Sequence, residues 1–508
     1  METERIVSDW KAGSIDGIAY THGYCDELNP LRAPLPLLQA GFAPPTVRTA
    51  CELGYGHGVS VNLHAAGSDS RWFGTDFNAA HARFAQQLAQ RAGAQATLFA
   101  DSFAAFCARD DLPNFDFIGL HGIWSWVDDA HRACLADFIG RKLNDGGVVY
   151  VSYNTEPGWA AMLPVRELLH SHFRAGARRV PDDAASGEAQ ALSQIADSIA
   201  FLRRVMAAQP GYAHANPQLA ARIDALCAAD AHYLAHEYFN RDWQPLTFSQ
   251  VAAGFGACGL RYAGSADYRD GVDEINLTPA QRELLAGIDD PVVRETTRDF
   301  CTLRSMRRDY WVKGAPTLDV DARQAALRAQ RVVLALPRDA VKLTVRGALG
   351  EAALPAATCD PILDALGGHR PTPLAEIERR AHGLAFDVVV KAVTLLAGSG
   401  VLLNAQDDAR IAAARPASAR LNAAICEQAL ARGDVQFLVS PVTGSGVRVP
   451  RVAQLFLLAR QRGFGAPAQW AAFAEAALDG EESHRALNEK AQRFADIHVP
   501  ILQALGIA

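Results

Sequence analysis

The chain has 508 residues, 49% of them hydrophobic and 21% charged, with a formal net charge of -7. This length predicts two to four domains with their own cores, and the acidic balance gives no general attraction to nucleic acid or to an anionic membrane. The nine cysteines are dispersed without a C-x-x-C pair, so they read as buried thiols and not as a disulfide or zinc framework.

Residues 47–53 read as a short strand carrying Glu52 near its end. Gly54, Gly56 and Gly58 then occupy every second position before a helix over 58–66. Glycine tolerates positive φ and lets a ligand approach bare backbone. Val59 stands where a dinucleotide fingerprint requires its third glycine, which argues against a pyrophosphate. A carboxylate at the mouth of the turn suits a ligand with positive charge and hydroxyl or amino groups. Further strands are predicted at 71–76, 96–100, 115–121 and 147–152, with helices at 79–92, 103–108 and 130–143 between them. This alternation implies parallel β-α-β units, with ligands at the carboxyl ends of the strands. Glu52, Asp76, Asp101, His121 and Asn154 fall at those ends.

After Trp159 the sequence turns alanine-rich and helical, with a loop expected at 180–187. Residues 234–239 and 260–268 read as the last two strands of the sheet, flanking a helix at 247–257. The excursion between 161 and 230 then becomes a helical insertion. Residues 275–312 read as a mainly helical connector, and the pairs Arg178-Arg179 and Arg307-Arg308 as solvated helix faces. Residues 331–354 alternate like two or three strands. Helices at 360–367, 373–382 and 386–398 and a strand at 401–403 complete a winged-helix-like unit, read as an interaction module with little positive charge for DNA. The remainder to 508 reads as helical.

Asp76 is placed to accept hydrogen bonds from ribose hydroxyls, or to cap the following helix. Asp101 can accept from an adenine amine, with Phe103 packed on the base face; capping competes here too. Three carboxylates at successive strand ends beside a glycine turn fit S-adenosylmethionine, whose sulfonium and ammonium call for negative charge. No metal is expected.

Residues 47–159 resemble the class I methyltransferases, and more narrowly a bacterial family with a methyltransferase regulatory region. The resemblance is carried by Cys51-Glu52-Leu53-Gly54-Tyr55-Gly56-His57-Gly58, by His121-Gly122-Ile123-Trp124-Ser125-Trp126-Val127 and by Ser152-Tyr153-Asn154-Thr155-Glu156-Pro157-Gly158-Trp159. It continues through Tyr233–Asn240 and through the segment from Arg298 to Gly314. The family includes rickettsial-type protein-lysine methyltransferases. The resemblance implies a Rossmann-like seven-stranded α/β sheet of order 3-2-1-4-5-7-6, with a helical insertion, a helical connector, a winged-helix-like α+β domain and a helical C-terminal region. The corresponding boundaries are 1–160 with 231–275 for the cofactor domain, 161–230 for an inserted dimerisation or lid domain, 276–405 for a middle domain and 406–508 for the C-terminal domain.

It also implies that Glu52, Gly54, Tyr55, Gly56, Gly58, Asp76, Phe77, Asp101, Ser102, Phe103 and His121 surround S-adenosylmethionine or its product S-adenosylhomocysteine. On the acceptor side it implies Tyr20, Tyr24, His121, Trp124, Trp126 and Tyr153, with Trp124 replacing a frequent tyrosine. In-line transfer from an activated sulfonium needs mainly alignment. A lysine acceptor must be neutral, which an aromatic, desolvated pocket favours. A tyrosine hydroxyl could orient the amine, and Trp124 or Trp126 could contact it by cation–π attraction. His121 reads as a general base for a hydroxyl acceptor, or as a supporting residue bonded to backbone. The expected partner is a protein or a glycan substrate, with a homodimer implied by the family and neither nucleic acid nor membrane. Two other readings stay open, methylation of a glycan precursor or small metabolite and cofactor sensing without turnover. Met1-Glu2-Thr3-Glu4 is polar and acidic, unlike a signal peptide, and no apolar run is long enough to span a membrane, so a cytoplasmic location is expected.

Overall fold

Every residue of Thr49–Leu53 (β1) is buried, the mark of a parallel strand covered on both faces. The structure, a computed structural model, describes residues 22–177, 187–240, 242–478 and 483–508. Around β1 lie β2 (Arg71–Thr75), β3 (Ala96–Phe99), β4 (Phe115–Leu120), β5 (Leu143–Asn154), β6 (Leu260–Ser265) and β7 (Met306–Lys313). They form one seven-stranded sheet of order β3-β2-β1-β4-β5-β7-β6, with β7 antiparallel to both neighbours. This is the Rossmann-like methyltransferase sheet in the expected order. The helix Ala79–Ala92 has the predicted bounds. The Asn78 side chain caps its first turn by accepting from the amides of Ala80 and His81, and left-handed Gly93 ends it.

Two strand assignments change. Residues 234–239 are not a strand; they fall in and just after the helix Ala231–Tyr238, capped by Asp230, with Leu234, Ala235 and Tyr238 buried at helical spacing. They join an apolar core with Met162, Leu169, Ile195, Leu202 and Ile223, so the inserted helices have a core of their own. The missing strand is β7, inside the stretch expected to be a helical connector.

Arg307 is not on a solvated helix face but on β7, and only 4% exposed. Its guanidinium donates to Asp309, Asp299, Glu295 and the Tyr262 hydroxyl, and stacks on Phe248 at 4.4 Å. A strand can bury such a charge only because its three carboxylate partners come with it. Arg178-Arg179 and residues 180–186 of the expected loop lie outside the described residues.

Beyond β7, β8 (Arg331–Leu334), β9 (Thr344–Gly347) and β10 (Gly350–Ala353) occupy the predicted alternating stretch. With β11 (Thr372–Pro373) and β12 (Leu402–Asn404), the strands form a three-stranded sheet, β11-β8-β12, and a separate β9–β10 hairpin. The helices Ala356–Ala365, Leu374–Arg380 and Phe386–Gly398 share one core with them. The C-terminal region is not wholly helical. Phe437–Ser440 (β13) and Ser445–Arg448 (β14) form a hairpin, turned by the Pro441–Gly444 stretch.

That hairpin packs against the helix Val59–Gly67, every residue of which is buried. A Cβ on Gly67 would meet the Gly444 backbone at 2.9 Å. Gln406 and Ser418 donate to the carbonyls of Gly67 and Ala66 at 2.7 and 2.9 Å. The C-terminal region thus clamps the helix that follows the glycine turn. Among the described residues, no helix is long and apolar enough to cross a membrane.

Candidate active site

All three glycines of the turn adopt positive φ, at +78° for Gly54, +57° for Gly56 and +68° for Gly58. Added Cβ atoms would strike Ile123 Cδ1 at 2.2 Å from Gly54 and Ala85 Cβ at 2.5 Å from Gly58. Gly56 has nothing within 4 Å of that position, so its backbone lies open. Its amide donates to Oδ2 of Asp76 at 2.9 Å, and the Asn78 amide donates to Oδ1 at 2.9 Å. The helix cap is Asn78, which leaves the Asp76 carboxylate to shape the turn and face the cleft. Tyr55 spends its hydroxyl on the Phe99 carbonyl at 2.6 Å, tying β1 to β3.

Gly54, Asp76, Phe77, Asp101, Ser102 and Phe103 line one cleft of about 340 Å³, and Ile123 and His131 complete it. The sequence reading missed those last two. Asp101 is partly tied by Arg109 at 3.0 Å, and Arg109 stacks on Phe99 at 4.0 Å. Ser102 caps the helix Phe103–Cys107 by accepting from the Ala105 amide.

Glu52 is 4% exposed, and its buried Oε2 has no hydrogen-bond partner among the described residues. Burial, reinforced by the neighbouring Asp76 charge, pushes its carboxyl up to about 8. An orphaned carboxylate oxygen near open glycine backbone fits a cationic ligand with hydroxyls and an amine, as S-adenosylmethionine is. Glu52, Gly56 and Asp76 would hold its charged and ribose portions, and Asp101, Ser102 and Phe103 its base. No cluster of three or more potential metal ligands is present among the described residues.

Beyond the turn, His121 follows β4. Its Nδ1 shares a hydrogen bond of 2.7 Å with the Tyr150 hydroxyl, and the two rings are parallel within 4°. Its partner is therefore this side chain. Burial lowers the imidazole to about 4, Glu27 opposing and Arg308 assisting, so His121 is neutral near pH 7. The Gly122 amide donates to Ser152 Oγ at 2.8 Å, and Ser152 sits opposite Arg308 in the β5–β7 register. Arg308 Nε lies 3.4 Å from Glu27 Oε1. Neither Glu27 nor Arg308 was foreseen. Glu27 lies in a short 3-10 helix, Asp26–Leu28, that has no periodic signal, and Arg308 sits on the unrecognised strand.

The aromatic candidates disperse. Trp124 is buried against Phe255 at 4.8 Å, in the core on the other face of the sheet from Tyr150. Tyr153 is buried in that same core and donates to Asp309 at 2.8 Å. Tyr24 contacts His64 Nε2 at 3.1 Å and packs on Phe437 of the C-terminal hairpin. These three hydroxyl or indole groups are spent on packing. Trp126 is half-buried beside Trp243, which donates to Asn154 at 3.1 Å and packs on Trp159. Tyr20 lies outside the described residues.

Residues 230–313 match the family model described as a predicted methyltransferase regulatory domain. Protein sll1526 of Synechocystis is 32% identical over 98% of this chain and its own full length. Protein RP789 of Rickettsia prowazekii is 27% identical over 39% of this chain and 34% of its own length. Among solved structures, PKMT2 of Rickettsia typhi in complex with AdoHcy aligns over 96% of this chain and 99% of its own, with a TM-score of 0.67 at 16% identity.

Proposed function

We propose that this chain, which belongs to the family of class I S-adenosylmethionine-dependent methyltransferases with a methyltransferase regulatory region, methylates lysine side chains of a protein. The observation that carries the donor half is the open Gly56 backbone held on Asp76, together with a buried Glu52 oxygen that lacks a partner among the described residues. The bound cofactor supplies an activated methyl group on a cationic sulfur. The chain's own residues supply alignment: the C-terminal clamp fixes the helix after the turn, and the cleft walls fix the adenosine end.

The lysine half is supported by the resemblance to rickettsial-type enzymes, which extends in fold over nearly the whole chain. A neutral His121 beside half-buried groups also suits an amine, since partial desolvation favours the uncharged nucleophile. The test is to incubate the protein with methyl-labelled cofactor and a bacterial lysate, then separate macromolecules from small solutes. Label in protein, recovered as methyllysine after hydrolysis, is the expected result. Label confined to small solutes removes the protein acceptor, and no label at all, with cofactor bound, leaves a sensor without turnover.

A further inference from the structure

Ser152 and Arg308 are register partners at the sheet's carboxyl edge, and His121 joins them through its hydrogen bond to Tyr150. Tyr150 and Ser152 alternate onto the same face of β5, and their partners on β7 are Tyr310 and Arg308. Tyr310 donates to the Glu27 carbonyl at 3.1 Å, which pins the 3-10 helix over this edge. The Glu27 side chain is 22% exposed and accepts no hydrogen bond among the described residues. Its ion partner Arg308 stands off at 3.4 Å through an Nε that itself makes no hydrogen bond among the described residues. A carboxylate can accept about four hydrogen bonds, so Glu27 has nearly all of its capacity free. The Cys25 thiol, buried two residues before Glu27, feels the charge of both Glu27 and Glu52.

From this geometry we propose that Glu27 is the acceptor-side carboxylate, taking an N–H of the incoming amine while His121 offers its Nε2 as a second contact. The inference rests on the lysine reading above and names the group that would hold the acceptor. An alkylammonium brings three N–H donors. It gives one proton to water, and the nitrogen lone pair then forms the new bond to the methyl carbon as the carbon–sulfur pair stays on sulfur. Positive charge thereby moves from sulfur to nitrogen. A fixed carboxylate at the nitrogen end is favoured more in the transition state than before it, which is the condition for acceleration. Glu52 sits at the other end, by the glycine turn, so each carboxylate faces one end of the charge displacement.

The test uses the full chain loaded with S-adenosylhomocysteine and n-butylammonium chloride as the probe, followed by calorimetry. Wild type binds the cation saturably. Glu27→Gln weakens it about 10- to 100-fold, the worth of one charge-assisted contact, and Glu27→Asp restores part of the loss. Affinity for S-adenosylhomocysteine stays within about twofold in both variants, which separates loss of the acceptor contact from damage to the fold. No saturable binding by wild type, or equal binding by Glu27→Gln, overturns the proposal. If wild type binds the cation through Glu27 yet labels no protein lysine, the carboxylate assignment stands and the lysine reading falls.

Discussion

The Gly56 amide donates to Oδ2 of Asp76 across 2.9 Å, so the carboxylate facing the cleft also holds the glycine turn in shape. One side chain thus links the end of β2 to the turn after β1. Replacing Asp76 by alanine removes that acceptor and the expected ribose contacts together. Calorimetry should show about 100-fold weaker binding of S-adenosylhomocysteine, with Asp76→Asn intermediate because an amide oxygen can still accept from Gly56. Unchanged affinity in Asp76→Ala would refute the ribose assignment.

Glu52 predicts a proton balance. Its carboxyl, raised to about 8 by burial, is protonated in the free protein at neutral pH. A cation bound beside it restores ionisation, so binding near pH 7 should release up to about one proton and tighten as pH rises toward 8. Titrations in buffers of different ionisation enthalpy measure this directly. Glu52→Gln should abolish the release; a release that persists in the variant assigns it to another group.

The two outer positions of the turn respond differently from its centre. Gly56→Ala meets no atom within 4 Å, but forces a left-handed alanine at a cost of about 1–2 kcal/mol and places a methyl in the ligand's path. It should fold and lose cofactor affinity. Gly54→Ala drives its methyl to 2.2 Å from Ile123 Cδ1 and should lose thermal stability as well. Equal melting temperatures for the two variants would contradict this division.

Arg307 anchors β7 through Glu295, Asp299 and Asp309. Arg307→Met leaves Asp299 and Asp309 buried without that cation and Glu295 with Arg298 alone, which should cost about 3–5 kcal/mol or prevent folding. Denaturant unfolding monitored by tryptophan fluorescence reports it, since Trp311 lies on the same strand. A loss below about 1 kcal/mol would mean that the cluster is weaker than its burial implies.

His64 lies at the clamp between the cofactor domain and the C-terminal hairpin, stacked on Trp72 and bonded to Tyr24. Burial lowers it from 6.5 to about 3, so the unfolded chain binds a proton that the folded one refuses. The corresponding stability is complete above pH 6.5 and is lost as pH falls below it, at about 1.4 kcal/mol per pH unit. Urea midpoints between about pH 7 and about pH 5 should fall for wild type and fall less steeply for His64→Gln.

The geometry of the candidate donor half was legible because glycine spacing and strand-end carboxylates are local signals. Glu52, Asp76 and Asp101 lie where the strand pattern puts them, and Ala79–Ala92 begins and ends at residues that cap helices. The proposed acceptor half was not legible, because its residues come from distant segments. Arg308 hid in a run of charges that reads as a strand only once its neighbour Arg307 is buried beside Glu295 and Asp299. Tyr153 and Trp124 looked functional by position, yet a two-faced sheet directs both away from Tyr150 and His121. The β13–β14 hairpin escaped notice because the apolar run of β13, Phe437-Leu438-Val439, is only three residues long between helices.

The most direct measurement is peptide mapping of lysate proteins after incubation with trideuteromethyl cofactor and either wild type or Asp76→Ala. The account predicts labelled methyllysine in defined peptides with wild type and none with the variant. Label on hydroxyls or small metabolites alone, or equal protein label with Asp76→Ala, would contradict it.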